Sequence, residues 1–336
     1  MSTVAICDAR SGIPGAVVRA LDAVGWPNLI QTGMPTLLKV NLTHDLLLPG
    51  AIVSPAVVHA AYHCMVSRLG PTVVAETNQV VTDADRAFAC SGFDRLCREL
   101  GLEWHNMSLH DWVPCQIDGE TLLLPSITRT HQVVNLCVMK THFRATVSGA
   151  LKNFWGFLET GRERFHGDLA RKVAQLHTLI PCSLHIMDAV VAMEGNGPKS
   201  GTPKEVGLVL ASSDPVALDA TAARLMGFDP SGIAHIQECA RRGIGIAEIS
   251  EIRLVGDAAD VPAMRFVPAR ENFIARVESR VRKFRGSGRP LRGKPLEALV
   301  WGARTWYRFA YEAFGTRRRV DRFLHSTGFD GEWRRR

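Results

Sequence analysis

With 336 residues, 46% of them hydrophobic and 22% charged, the chain is too apolar to be disordered and long enough to bury one large α/β core or two small ones. No run approaches the roughly 18 consecutive apolar residues of a bilayer span, and the opening MSTVAICDARSG lacks a charged region followed by an apolar one, so a cytoplasmic body is expected. The net charge of +7 is uneven: from Arg270 onward 18 Lys and Arg face 7 Asp and Glu, which leaves 22 against 26 in the rest and makes the tail a basic object on an acidic body.

In chain order, apolar runs rich in Val, Ile and Leu predict strands at Thr3 to Asp8, Thr36 to Asn41, Thr72 to Thr77, His131 to Lys140, Leu184 to Val191, Val206 to Ala211 and Ile252 to Val255. Helical patterns fill the gaps between them. The alternation predicts an α/β fold with a mostly parallel or mixed sheet flanked by helices. Ser54-Pro55 and Asp214-Pro215 each place a capping side chain before a proline at a first helical position, and the second helix should stop at Gly227. A domain over 1–260, a linker region over 261–294 and a basic, amphipathic helical tail over 295–336 complete the expected organisation.

Several polar residues, namely Lys39 and Asn41, Glu76, Lys140 and His142, and Asp188, fall near the carboxyl ends of predicted strands. In an open parallel sheet those ends converge on one ligand crevice. The densest stretch, KTHFRATVSGALKNFWGFLETGRERFH from Lys140 to His166, leaves a strand, turns on Ser148-Gly149-Ala150, and carries Lys152 and Asn153 toward a helix near Asp168. Small residues admit a ligand close to the backbone, and exposed amides beside lysines and arginines make a site for a phosphate or carboxylate. Any one of these residues alone reads equally well as part of a solvated basic loop.

His142 and His166 suit acid–base work or metal ligation, and Lys152 suits a covalent anchor if desolvated. The segment Met187 to Pro203 holds Glu194, Gly195, Asn196, Gly197 and Gly201 after an apolar strand. A dinucleotide-binding glycine loop must open a helix, whereas this one contains Pro198 and Pro203 and leads into a strand, so it reads as a turn with a carboxylate beside it. Asp188 and Glu194 are candidates for a divalent metal or a general base, or for loop hydrogen bonding. The eight cysteines (Cys7, Cys64, Cys90, Cys97, Cys115, Cys137, Cys182 and Cys239) contain no C-x-x-C pair, so no ferredoxin-type cluster motif is present.

In the tail, Leu296, Leu299, Val300, Ala303, Tyr307, Ala310 and Phe314 recur at helical spacing after the linker RGSGRPLRGKP, with Arg317 to Arg319 and Arg334 to Arg336 adding charge. The apolar face can pack on the body or on a second subunit as a homodimer. It can also lie on an anionic membrane surface, which would make the protein peripheral to the inner membrane face; nucleic acid ranks last.

Taken together, Lys39-Val40-Asn41, Ser54-Pro55, Glu76, Lys140-Thr141-His142, Ser148 to Asn153, His166, Asp188, Met193 to Pro198 with Gly201, and Ala211 to Asp219 resemble the domain-of-unknown-function family 362, from about Val4 to Gly256. The resemblance implies an α/β protein. It also carries an iron–sulfur description that derives from an added ferredoxin module, but here no cysteine follows Cys239 and the basic tail stands in the module's place. More remotely, His142-x4-Val147-Ser148-Gly149-x2-Lys152 with His166 is similar to a segment of nickel-pincer lactate racemases, with Ala150 where those have a second glycine. That likeness implies His142 as acid or base, Lys152 as anchor of a nickel-pincer-like cofactor and His166 as nickel ligand.

The expected site therefore has His142, Lys152 and Glu194 in catalysis. Lys39, Asn41, Glu76, Lys140, Ser148, Gly149, Asn153, Asn196 and Asp214 bind an anionic small molecule, and His166 and Asp188 hold any metal. The specific expectation is racemisation or hydride transfer at a hydroxy-acid carbon; the alternative is a noncatalytic ligand-binding or iron–sulfur electron-transfer accessory protein.

Overall fold

The computed structural model describes residues 1–79, 82–159, 161–270, 302, 305, 311 and 316–327. Eleven strands are found among them: β1 (Ser2–Asp8), β2 (Thr36–Lys39), β3 (Thr72–Glu76), β4 (Glu103–Asn106), β5 (Trp112–Ile117), β6 (Glu120–Pro125), β7 (Gln132–His142), β8 (Thr146–Ser148), β9 (Leu184–Asn196), β10 (Ser200–Ser212) and β11 (Ile252–Val255). The helices are α1 (Ile13–Ala23), α2 (Pro55–Met65), α3 (Ala84–Cys90), α4 (Phe93–Leu100), α5 (Ala150–Asn153), α6 (Leu169–Leu179), α7 (Pro215–Leu225), α8 (Ala234–Arg241) and α9 (Thr316–Thr327). All seven expected strands form. β4, β8 and the β5–β6 hairpin were not expected, although Asp118-Gly119, both at positive φ, is the two-residue turn that marks a hairpin.

The main sheet runs β11-β1-β10-β9-β7-β2-β3-β4, with β8 folded back on β7. Pairing is parallel for β9 with β7, β7 with β2, β2 with β3, β3 with β4 and β1 with β11, and antiparallel where β10 meets β9 and β1. The sheet is therefore mixed, with β10 reversed among the long strands. Successive side chains point to opposite faces, and both faces are covered. Leu37, Val133, Cys137 and Met187 join a layer with Phe154, Val173 and Val216, whereas Leu38, Val134, Leu136 and Ile186 join Val17, Leu21 and Val57 on the other side. This double burial is why the strands read as continuous apolar runs.

The topology sets where a ligand can sit. From β2 the chain passes through α2 to β3 on one side, whereas β7 passes through α5 and α6 to β9 on the other. α2 packs in one layer and α5 with α6 in the opposite one. Neighbouring strands β2 and β7 thus send their chains apart, and the gap at their carboxyl ends is the switch point at which open α/β sheets bind ligands.

Both proline-marked helix starts form as expected: Ser54 Oγ accepts from Ala56 N at 3.1 Å, and Asp214 Oδ1 accepts from Val216 N and Ala217 N at 2.8 and 2.9 Å. Residues 261–270, placed in the linker region by composition, lie against the body. Phe266 is buried, and Gly195 N donates to Val267 O at 2.7 Å. Within the tail, Tyr311 Oη donates to Leu47 O at 2.8 Å, and α9 buries Val320 and Leu324 in the layer shared with α1 and α2 while Arg318 and Arg322 stay exposed. The rest of the tail's apolar repeat, the linker over 285–295 and Arg334 to Arg336 lie outside the described residues. No helix among the described residues is long and apolar enough to cross a membrane.

Removing a buried leucine side chain costs about 2–5 kcal/mol. Leu324→Ala should lower the denaturation midpoint accordingly, and Arg318→Ala on the exposed face should change stability by less than about 0.5 kcal/mol. Equal, negligible effects would show that α9 is not seated on the body.

Candidate functional site

Lys39, the last residue of β2, is fully buried. Its ammonium bonds Glu76 at the end of β3 and donates to Val40 O at 2.8 Å. Burial pushes the lysine pKa down, and the Glu76 charge opposes that shift. Gly156 lies across this pair; a Cβ there would meet both Lys39 Nζ and Glu76 Oε2, and Thr77 Oγ1 fixes the approach through Gly156 O at 2.8 Å.

On the neighbouring strand, Lys140 Nζ donates to Asn41 Oδ1 at 2.6 Å, Ala51 O at 2.7 Å and Thr43 Oγ1 at 3.1 Å. Burial and the charge of Lys152 push its pKa down to about 7, whereas three acceptors suit the ammonium form. The network continues inward. Asn41 Nδ2 donates to Asn153 Oδ1, Asn153 Nδ2 to Asn135 Oδ1, and Asn135 Nδ2 to Ala150 O and His185 Nδ1, at 2.8, 2.8, 3.0 and 3.0 Å. Its donor and acceptor pairs span the β2–β7 gap, so the ends of both strands and the start of α5 are locked together.

α5 begins where β8 ends, and its first amides are taken by the protein itself. Asp219 of α7 accepts from Ala150 N at 2.6 Å and Leu151 N at 3.0 Å. Burial raises its pKa to about 7 against the pull of those amides. The turn at Ser148-Gly149-Ala150 was expected to offer open amides to a ligand. Instead Asp219 fills that role, and Gly149 is required because a Cβ would collide with Asp219 Oδ1 and the Met187 methyl.

Lys152, next on α5, behaves differently from the other lysines. It is 9% exposed and makes no hydrogen bond among the described residues, and its ammonium lies 4.8 Å from the Trp155 ring centre. Burial and Arg162 push its pKa down to about 7. His166 stacks on the same indole, at 5.2 Å between ring centres. His142 accepts from Arg144 N through Nδ1 at 3.0 Å. A backbone amide can only donate, so the proton of the neutral ring sits on Nε2. Burial, then the charges of Lys152 and Lys140, hold the His142 pKa well below its ordinary value. Lys152 and His166 thus flank one indole, and the charges of both act on His142.

Four other expected residues are engaged in structural bonds. Asp188 accepts from Ser54 N at 2.7 Å and Val190 N at 3.0 Å, with its pKa raised to about 6 by burial. Glu194 pairs with Lys204 at 2.9 Å and accepts from Val267 N at 3.1 Å, and Asn196 Oδ1 accepts from Arg270 N at 3.0 Å, so both tie the 261–270 segment to the β9–β10 hairpin. Asp214 takes the two cap amides, Ile246 N at 2.9 Å and Ser2 Oγ at 2.5 Å. Glu194 and Asp214 would have to exchange these bonds to act on a ligand, whereas Asn196 keeps its Nδ2 outside the bond to Arg270. Among the described residues no three His, Cys, Asp or Glu converge on a metal position, so His166 and Asp188 do not form one together.

Sequence reasoning missed Asn135, Arg162, His177, His185, Asp219 and His235. Arg162 is buried and donates to Leu158 O and Asn78 O at 2.9 and 2.7 Å. His177 stacks on Phe154 at 3.8 Å between ring centres and bonds Leu151 O, with its pKa pushed down to about 3 by burial. Asn135 and His185 carried a signal, as polar residues within apolar strands, and Asp219 lay in the family-like stretch from Ala211; Arg162, His177 and His235 come from helical segments whose packing no spacing reveals. An open groove of about 610 Å³ between α7, α8 and residues 245–251 shares no lining residue with this site.

Comparison with known proteins adds three findings. The family model described as domain of unknown function (DUF362) matches residues 36–224. The thylakoid-associated protein sll1697 of Synechocystis sp. is 34% identical over 124 residues, which cover 33% of this chain and 37% of that protein, so the match spans little more than a third of the relative's length. The lactate racemase apoprotein from Thermoanaerobacterium thermosaccharolyticum superposes with a TM-score of 0.42 at 11% identity, covering 72% of this chain and 57% of the other.

Gly149→Ala should destabilise the protein by about 1–3 kcal/mol, the usual cost of forcing atoms into a filled interior. The loss should shrink when Asp219→Ala is added, because the collision is with that carboxylate. Additive losses in the double-mutant cycle would disprove the contact.

Proposed function

Starting from a chain that belongs to the DUF362 family, a name that carries no activity, we propose that it is an enzyme acting on an anionic small molecule at the carboxyl ends of β2 and β7. The observation that carries this reading is charge. Lys39, Lys140, Lys152 and Arg162 are all at most 9% exposed, and Glu76 is the carboxylate whose charge bears on all three lysines. Each buried charge costs several kcal/mol unless compensated, so a bound carboxylate or phosphate stabilises the site as it binds. Lys152 is the group left to meet it, since Lys39 and Lys140 are already bonded.

The division of roles follows from what each atom has free. Lys152 attracts the anion as an ammonium and is a nucleophile or covalent anchor as an amine; a pKa of about 7 makes both forms accessible near neutrality. His142, neutral with its proton on Nε2, donates a hydrogen bond to an oxygen at the reacting centre, and it takes up a proton there as a base once the ring proton moves to Nδ1 and frees Nε2. A metal held by protein side chains alone does not fit the described residues. A cofactor that brings its own donors does fit, with Lys152 as its anchor and His166 as a ligand, both beside the Trp155 indole. Such a nickel-pincer-like group would supply a hydride-accepting centre, the chemistry needed for racemisation or hydride transfer at the carbinol carbon of a hydroxy acid.

Titration calorimetry with inorganic phosphate and with L-lactate tests the anion site. Wild type should bind at least one, and Lys152→Met should lose at least about tenfold in affinity, the equivalent of a charged hydrogen bond. Affinity should fall as pH rises through about 7, because Lys152 loses its proton there. Binding unchanged by Lys152→Met, or flat across that range, would sink the reading. Intact mass tests the cofactor separately: protein from its native host should be heavier than its sequence, and Lys152→Ala should remove the excess.

A further inference from the structure

The three buried lysines of the site are stabilised in different ways. Lys39 Nζ has Val40 O and Glu76 as acceptors, and Lys140 Nζ has Asn41, Thr43 and Ala51. Lys152 Nζ has no acceptor among the described residues; what meets it is the Trp155 indole, with the ammonium 4.8 Å from the ring centre. A cation within about 6 Å of an aromatic face is drawn to its negative π cloud, most strongly by tryptophan and more so where water is excluded. Both partners are largely shielded, Lys152 at 9% and Trp155 at 7% exposed.

The local chain places the ring. Trp155 belongs to the 3₁₀ turn Phe154–Phe157 that follows α5, and its carbonyl accepts from Leu158 N at 3.3 Å. Phe154 and Phe157 are fully buried and meet edge to face at 5.1 Å between ring centres, so the backbone that carries the indole is anchored in the core. The same turn treats a second lysine alike, because the Phe157 ring centre lies 5.7 Å from Lys39 Nζ. Trp155 also stacks on His166, with planes 23° apart.

An aromatic face differs from a carboxylate in stabilising an ammonium without adding negative charge. The cation therefore keeps its pull on an incoming anion. Around Lys152 the charged groups are Lys39, Lys140 and Arg162, of like sign, and Glu76, which is bonded to Lys39. His142 and His235 are held neutral, chiefly by burial.

We infer that Trp155 is a positioning residue of this site: its indole holds the Lys152 ammonium and sets His166 beside it, where a carboxylate would have cancelled the charge an anion needs. The purpose of the contact rests on the anionic-ligand reading; the contact itself is testable without a ligand.

Acetic anhydride reacts with the amine form of lysine alone, so the acetylation rate of Lys152 against pH, followed by peptide mass spectrometry, has its midpoint at the lysine pKa. Trp155→Leu removes the face that favours the ammonium, and the midpoint should fall by about half a unit to one unit. Trp155→Phe keeps a weaker face and should fall by less. A tryptophan that only fills space gives the opposite sign, because water entering the vacated volume solvates the ammonium and raises the midpoint. Affinity for inorganic phosphate, read by titration calorimetry, should drop about tenfold in Trp155→Leu and be largely kept in Trp155→Phe.

A midpoint that stays or rises in the folded variants overturns the assignment, and the phenylalanine variant decides if the leucine variant does not fold. If Lys152→Met abolishes binding while Trp155→Leu binds as wild type, the anion site stands and Trp155 does not position it. A wild type that binds neither phosphate nor L-lactate overturns the anion reading, and the midpoints still decide whether the indole holds Lys152.

Discussion

Burying a lysine ammonium is tolerable only when its protons find acceptors, and Lys140 meets that condition by reaching across the gap between two strands. Its bonds to Asn41, Thr43 and Ala51 pin the loop after β2 to the end of β7. From Asn41 the amide chain through Asn153 and Asn135 carries the same constraint down to His185 and to the start of α5. The position of Lys152 follows from this chain, because Asn153 is its neighbour and is held from three sides. Breaking one member would leave the others with buried, unmet bonds, so the network sets the site's geometry as a unit.

Within this frame the polar interior divides by satisfaction. Lys39, Lys140, Asp188, Asp214 and Asp219 have partners that account for their burial. Lys152 Nζ and His235 Nε2 have no hydrogen-bond partner among the described residues, and the charge of Lys152 lowers the pKa of both His142 and His235. Structural groups stabilise the fold by being paired; groups that remain unpaired at a topological switch point are available to a ligand. Of these groups Lys152 lies beside the Trp155 indole, on which His166 also stacks.

The opposite layer has a different task. There the basic tail returns to the body through Tyr311, Val320 and Leu324, beside α1 and α2. Among the described residues Arg317 to Arg319 and Arg322 stay exposed while Val320 and Leu324 are buried. The segment 261–270 performs a related service at the β9–β10 hairpin, where Glu194 and Asn196 hold it.

The sequence alone determined the α/β class, the seven principal strands and two capped helix starts, because apolar runs and Ser-Pro or Asp-Pro pairs act over a few residues. It also marked His142, Lys152 and His166, whose unusual density in one segment needed no partner to be seen. Whether a carboxylate would bond the backbone or meet a ligand depended on distance: Asp188 and Glu194 read either way in one dimension and hold protein groups in three, while Asp214, read as a cap and as a ligand group, takes the cap amides. The role of Asp219, seen only as part of a family-like stretch, and that of His235 went unread for the converse reason. A lone acid or histidine on a helix acquires its meaning only from what the opposing helix brings against it, and that contact is decided by the packing of layers from distant parts of the chain.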